Sequence, residues 1–272
     1  MRSDRIFRLL VQSLFGGVTG LFAALTLYLL FQGLRAWDGT LLREELLAPA
    51  AGTAALVFLA VGIALPVGVA TGIYLHLYAG KRLKAWLGGA VELLAAIPSI
   101  VIGLFGFSML LALHRIVPEA RSSLLLAALC LALLVLPYLV QATRLGLEET
   151  PREHLSLAAA LGADRETRLW RIQLPHARNH IRKGVYLAVA RSAEDTAVIL
   201  LTGVVASYGF PDGVFRPFEA LPFFIYTTAA NYADARELEG AFMAVLLLVG
   251  ISTLFMALAG GLGRMAYRRR RW

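Results

Sequence analysis

Apolar residues gather along this chain into six long runs with short polar breaks between them. Leu9–Leu34, Thr53–Ala79, Leu87–Leu113, Ser123–Thr143, Gly184–Val205 and Gly240–Leu262 are each near or above the ~20 residues a helix needs to cross the hydrocarbon. None keeps the two-residue alternation of a barrel strand, so the pattern predicts an all-α integral membrane protein with six transmembrane helices. The first run follows Arg2, Arg5 and Arg8, as a signal peptide would. Its apolar stretch is too long for a signal h-region and no small-residue cleavage site follows, so it is expected to remain as an anchor.

Composition agrees: 58% of the 272 residues are hydrophobic and only 16% charged, where a soluble domain is nearer a quarter charged. Charge adds an orientation. With both termini on the cytoplasmic side, inner segments carry nineteen of the 26 Lys and Arg and outer segments six, with Arg191 inside a span. This asymmetry predicts an N-in, C-in topology. It also accounts for the net charge of +8 by a basic face against anionic lipid, without nucleic acid. The single Cys130 permits no intrachain disulfide. The expected organisation is an anchor and first outer loop over 1–52, a core over 53–267 and a basic cytoplasmic tail over 268–272.

The polar segment 144–183 is the longest cytoplasmic excursion. "TPRE" (Thr150 to Glu153) predicts a helix start, with a Thr cap and proline in the first turn. That helix should stop at Gly162, which can take the left-handed conformation of a helix end. Asp164 should cap a second short helix, interrupted by Leu174-Pro175 before the fifth span. Forty residues cannot bury a core of their own, so an external partner must receive this segment.

Here the residues resemble a known family. "LAAALGADRETRLWRIQLP" is similar to the cytoplasmic EAA loop of binding-protein-dependent ABC permeases, whose pattern is Glu-Ala-Ala, three residues, Gly, nine residues, Ile, one residue, Leu-Pro. Gly162, Ile172, Leu174 and Pro175 match with the spacing intact, whereas Ser156, Leu157 and Ala158 stand where the pattern has Glu-Ala-Ala. "ALPVGVATGIYLHLYAG" (Ala64 to Gly80) and "LLAAIPSIVIGLFGF" (Leu93 to Phe107) resemble the second and third spans of the phosphate-specific (Pst) permeases, in particular the PstA-type subunit. "ARSAEDTAVILL" (Ala190 to Leu201) aligns with that subunit's "ARAIGETAPLLLT", keeping Arg191 and Thr196 but carrying Glu194, Asp195 and Val198 for Gly, Glu and Pro.

The resemblance implies a type I ABC importer permease fold in a bacterial or archaeal cytoplasmic membrane. It implies inorganic phosphate as substrate, with another oxyanion (tungstate, molybdate or sulfate) as the alternative and an ATP-independent channel or carrier as a more distant one. The implied partners are a homologous second permease, an ATPase dimer and an extracytoplasmic phosphate-binding protein. ATP and Mg would belong to the ATPase, since this chain has no Walker A pattern and needs no cofactor of its own. Docking on the ATPase falls by resemblance to Ser156, Ala158, Ala159, Gly162, Ala163, Ile172, Leu174 and Pro175.

On a continuous helix, Arg191 faces Glu194 and Asp195 at i+3 and i+4. A self-neutralised ion pair is one explanation. A charge at a helix centre nevertheless costs at least ~2.5–3.5 kcal/mol on the insertion scale, so a substrate path or gate formed by Arg191, Glu194, Asp195 and Thr196 is the sharper expectation. Pro98 and Ser99, beside the small residues of "GLFG" (Gly103 to Gly106), are expected to line the same path. His176 and His180 share a helix face but lack a nearby third ligand, so no metal site is expected. In the outer segment, Phe223, Phe224 and Tyr226 predict a short helix at the membrane interface.

Overall fold

Each long apolar run folds largely as helix in the computed structural model, which describes residues 2–119, 121–206 and 209–268, without the side chains of 2–6, 8–10 and 260–268. Among the described residues there is no strand, only an isolated bridge between Val204 and Phe218. The expected tail over 268–272 lies outside them apart from the backbone of Arg268. α1 (Arg2–Arg35) leads through the one-turn α2 (Gly39–Leu41) and a π-turn (Leu42–Leu46) into α3 (Leu47–Leu77). α4 (Lys81–Ala96), α5 (Ser99–His114) and α6 (Leu124–Glu148) follow. The polar segment holds α7 (Arg152–Ala160), α8 (Arg165–Arg168) and a second π-turn (Leu169–Gln173). α9 (Leu174–Glu194), α10 (Thr196–Thr202), α11 (Leu221–Asn231) and α12 (Ala235–Arg268) complete the described chain.

Among the described residues, four helical stretches are long and apolar enough to cross a membrane: part of α1, the continuous Gly39–Leu77, α6 and the first part of α12. A fifth is added if α4 and α5 are counted as one bent span. Two of the six expected spans therefore differ from a plain helix. Leu87–Leu113 turns by 100° between α4 and α5. Pro98 has no N–H to donate and forces the residue before it out of the helical region, and Ile97 duly sits at φ −69, ψ 127. Gly184–Val205 is divided at Asp195, where α9 ends and α10 begins.

The polar segment also departs from its expected details. α7 starts at Arg152 after Pro151 and has no side-chain cap; the Thr150 hydroxyl expected to cap it is buried instead. Leu174-Pro175 does not interrupt a helix. Pro175 lies in the first turn of α9, where a proline's missing N–H costs nothing, and the π-turn joins α8 to α9 without a gap.

α6 is the central helix, and glycines set how closely its neighbours approach. A Cβ on Gly68 or Gly72 of α3 would stand 2.6 Å from the Cβ of Leu139 or Thr143, and one on Gly184 of α9 would stand 2.6 Å from that of Ala142. Membrane helices associate mainly by such close packing, because lipid tails are as apolar as the helix faces. Ala64, Ala132, Val135, Leu139 and Ala188 fill the space between the three helices. α11 is pinned to α3 by Thr53, whose hydroxyl donates to Pro49 O and accepts from Leu221 N–H, both at 2.8 Å. α1 meets α12, with Tyr28 edge-on to Phe242 at 6.3 Å, and leaves most of its own length exposed.

Candidate functional site

The charged cluster lies at a helix break. α9 stops at Glu194 because Asp195 takes φ −77, ψ 106, an extended backbone. The Asp195 carboxylate then caps the next helix, Oδ1 accepting from Val198 N–H at 2.9 Å. Its other oxygen, Oδ2, is 3.1 Å from Arg191 Nη2. Arg191 Nη1 donates to Glu194 Oε1, also at 3.1 Å. Arg191 thus sits in the last turn of one helix and Asp195 at the start of another. Each charge is at the helix end whose dipole favours its sign.

The two carboxylates are not equivalent. The Asp195 side chain is 2% exposed and tied on both oxygens, whereas that of Glu194 is 63% exposed and held by one bond. Arg191, at 34%, is open on one side. The hydroxyl of the neighbouring Ser192 is buried. Thr196 is partly buried in the first turn of α10.

α5 packs along α10 through the small residues of "GLFG". A Cβ on Gly103 would lie 3.0 Å from Ala197 O, and one on Gly106 would lie 2.9 Å from Thr202 Cγ2, so the two helices run parallel in register. Ser99 is one turn before Gly103 and therefore lies at the level of the Asp195 break. Pro98 is exposed and Ser99 partly so. Two helix breaks at one level were not expected from the sequence. The "DTAV" at Asp195 had the form of a helix N-cap, and that signal was available.

The polar segment forms a second cluster. α7 ends in a Schellman closure: Ala163 N–H bonds to Ala158 O at 2.9 Å and Gly162 N–H to Ala159 O at 3.0 Å, with Gly162 at φ +82. Asp164 caps α8 through Thr167 N–H at 2.9 Å, as its position suggests. Hydrogen bonds from Thr167, side chain first and backbone second, hold the Asp164 carboxyl below its ordinary range. α7 buries none of its residues, Ser156 and Ala159 are exposed, and Leu161 is 80% exposed.

The segment is moored to the ends of α3 and α6. Leu169 packs with Leu147, Ala177 and Ile73; Gln173 Nε2 lies 3.3 Å from His76 Nε2; Arg165 covers the Tyr78 ring at 4.8 Å. Ile172 and Leu174 are partly buried along this mooring and Pro175 is exposed. Glu149, from the end of α6, pairs with His180 at 2.9 Å, a carboxylate that local spacing around the histidines does not supply. α9, 21 residues and therefore about 30 Å long, runs from the polar segment to the Arg191 cluster.

A helical membrane chain with a moored polar loop and broken helices has the form of a transporter subunit. Residues 64–266 match the family described as binding-protein-dependent transport system inner membrane component, and the chain belongs to that family. It is 33% identical to the phosphate transport system permease protein PstA 1 of Mycobacterium tuberculosis, over 81% of this chain and 70% of that one. It is 28% identical to the probable phosphate transport system permease protein PstA of Methanocaldococcus jannaschii, over 80% and 76%. The PstA of Yersinia pestis is 30% identical, over 81% and 72%. In fold, a chain of the MetNI methionine ABC transporter in an inward-facing conformation superposes with a TM-score of 0.64 at 15% identity, covering 80% of this chain and 94% of that one.

The double role of Asp195 separates two substitutions. Asn caps helices about as well as Asp, whereas Ala forfeits about 0.5–2 kcal/mol at such a position. Asp195→Ala should therefore unfold at a lower temperature than Asp195→Asn when the purified proteins are heated in detergent. Equal loss in both would mean that the cap does not hold the break.

Proposed function

We propose that this chain is the permease subunit of an ABC importer that carries inorganic phosphate across the cytoplasmic membrane, with ATP hydrolysed by a separate subunit. The observation that carries it is similarity to phosphate permeases from two bacteria and an archaeon over four-fifths of the chain. These relatives favour phosphate over tungstate, molybdate or sulfate. The partners are a second permease, a pair of ATPase subunits and an extracytoplasmic binding protein. The bent α4–α5 pair and the divided α9–α10 pair each make one crossing, which completes six spans with both termini inside.

Chemistry at the break fits an anion gate. Arg191 faces one fixed and one loosely held carboxylate, so the cluster is net negative until the loose one moves away. An arriving phosphate replaces Glu194, the exposed partner, and takes its hydrogen bond on Nη1, while Asp195 keeps the guanidinium oriented. With Glu194 turned out to solvent, the guanidinium keeps two anionic partners through the exchange, which limits the cost in a low-dielectric setting. The exposed α7 docks on the ATPase, and α9 carries its displacement to the break.

Three measurements test this. Reporters in the Asp212–Gly213 turn should be extracytoplasmic and reporters at the C-terminus cytoplasmic; the reverse at either site overturns the topology. Gly162→Leu, which forces a side chain into the left-handed region, should leave insertion intact but lower co-purification of the ATPase and substrate-stimulated ATP hydrolysis. Survival of both would remove the docking role.

The decisive measurement is phosphate uptake into proteoliposomes holding the full complex at matched protein levels. Arg191→Gln should lower uptake by about tenfold or more, the loss of one charge-assisted hydrogen bond of roughly 1.5–3 kcal/mol. Asp195→Asn should also impair it, and Glu194→Gln should be tolerated best. Near-normal uptake with all three charges neutralised would show that the cluster is structural.

A further inference from the structure

The break at Asp195 leaves one acid whose chemistry the gate does not use up. Asp195 is buried, with one oxygen on Val198 N–H and the other on Arg191, so it has no face left to offer a solute. Glu194 differs. Its side chain is exposed and only Oε1 is engaged, by Arg191 Nη1 at 3.1 Å. Its second oxygen, Oε2, bears no hydrogen bond among the described residues. An anion that takes Nη1 enters the position that Oε1 vacates. Turned to the open side, the carboxylate remains one turn from Arg191 and within reach of the anion's outer oxygens.

Oxyanions differ in what they can do with such a neighbour. A carboxylate accepts hydrogen bonds and donates none. Sulfate, molybdate and tungstate near neutral pH are dianions without a proton, and they also only accept. They meet Glu194 with like charge and nothing to offset it. Hydrogen phosphate carries the same two charges and one O–H. It can donate through that hydroxyl to Glu194 while its bare oxygens accept from Arg191. The resulting O–H···O⁻ bond is charge-assisted and therefore among the stronger kinds. An analogue that lacks the hydroxyl leaves the acceptor unpaired and keeps the repulsion, and both effects discriminate against it.

We propose that Glu194 is a specificity-determining residue of the transport path: it accepts the O–H of hydrogen phosphate seated on Arg191 and disfavours oxyanions that carry no proton. The inference rests on the phosphate reading and adds a means of selection within the permease itself. The PstA-type stretch that aligns here has glycine at this position, so the acceptor is a feature of this chain.

Monofluorophosphate isolates the proton, because it is a dianion with fluorine where hydrogen phosphate has its hydroxyl. The full-length chain is assembled with its second permease and ATPase subunits in detergent, without the binding protein, whose own selectivity would intrude. Bound radiolabelled phosphate is then displaced at mildly alkaline pH by unlabelled phosphate, sulfate or monofluorophosphate. Phosphate should displace at least about tenfold better than either analogue, the weight of one charge-assisted hydrogen bond. Glu194→Gln, whose amide N–H can donate to an unprotonated oxygen, should cut that ratio by about the same factor. Arg191→Gln should weaken phosphate binding itself. Should the Gln variant at 194 fail to assemble, Glu194→Ala should lower the ratio as well. A wild-type ratio near one, or a ratio unchanged without the Glu194 carboxylate, overturns the specificity role while Arg191-dependent phosphate binding leaves the gate standing. Phosphate binding that does not depend on Arg191 overturns both.

Discussion

A carboxylate held almost out of solvent needs partners for its oxygens, and Asp195 finds them in a way that shapes its surroundings. One oxygen takes the Val198 N–H and so starts α10; the other takes Arg191 and so fixes the end of α9. Once α10 has its own origin, its direction is free to follow α5, and the two short helices lie in register through Gly103 and Gly106. The position of Ser99 and the opening beside Arg191 follow from that pairing. A continuous helix through residue 195 would still set Asp195 one turn from Arg191, but the Val198 N–H would be taken by the carbonyl of Glu194 and the carboxylate would lose its cap.

The molecule therefore combines parts of different stiffness. α3, α6 and α9 are locked by glycines that allow backbone approach at 2.6 Å between Cβ positions, and a packed seam of this kind resists bending. α5 and α10 are short pieces with broken ends. α9 belongs to both parts: Leu169 and Gln173 moor the turn before it to α3, and its far end carries Arg191. α9 is a covalent and rigid connection between the polar segment and the charged break.

Much of this was legible in the residues. The apolar runs located the membrane helices, Gly162 the left-handed stop and Asp164 the cap of α8. The family resemblance rested on spaced residues of the coupling loop, and the match over 64–266 agrees with it. Discontinuities were harder to read. Hydropathy averages over a window, so it joined residues 184–205 although Asp195 carries the form of an N-cap, and it ran across Pro98. Thr150 was expected as a cap because its spacing to Glu153 is right. Spacing cannot reveal that burial diverts its hydroxyl from that role. Contacts between distant segments, such as Glu149 with His180 or Arg165 over Tyr78, have no local signature at all.

The three charges in an apolar run posed a problem of cost, and the break resolves it by geometry. In mid-helix, backbone groups are mutually bonded and offer an ion nothing. At a helix end, carbonyls or N–H groups stand free and oriented, so a cation at the end of α9 and an anion at the start of α10 are each stabilised before they meet. Placing both ends next to each other lets the pair form across the gap with only short side-chain reach. The same feature that makes the charges tolerable also leaves Arg191 open on one side, because no helical turn continues over it. Tolerance of charge and the partial exposure of Arg191 are thus consequences of one interruption in the chain.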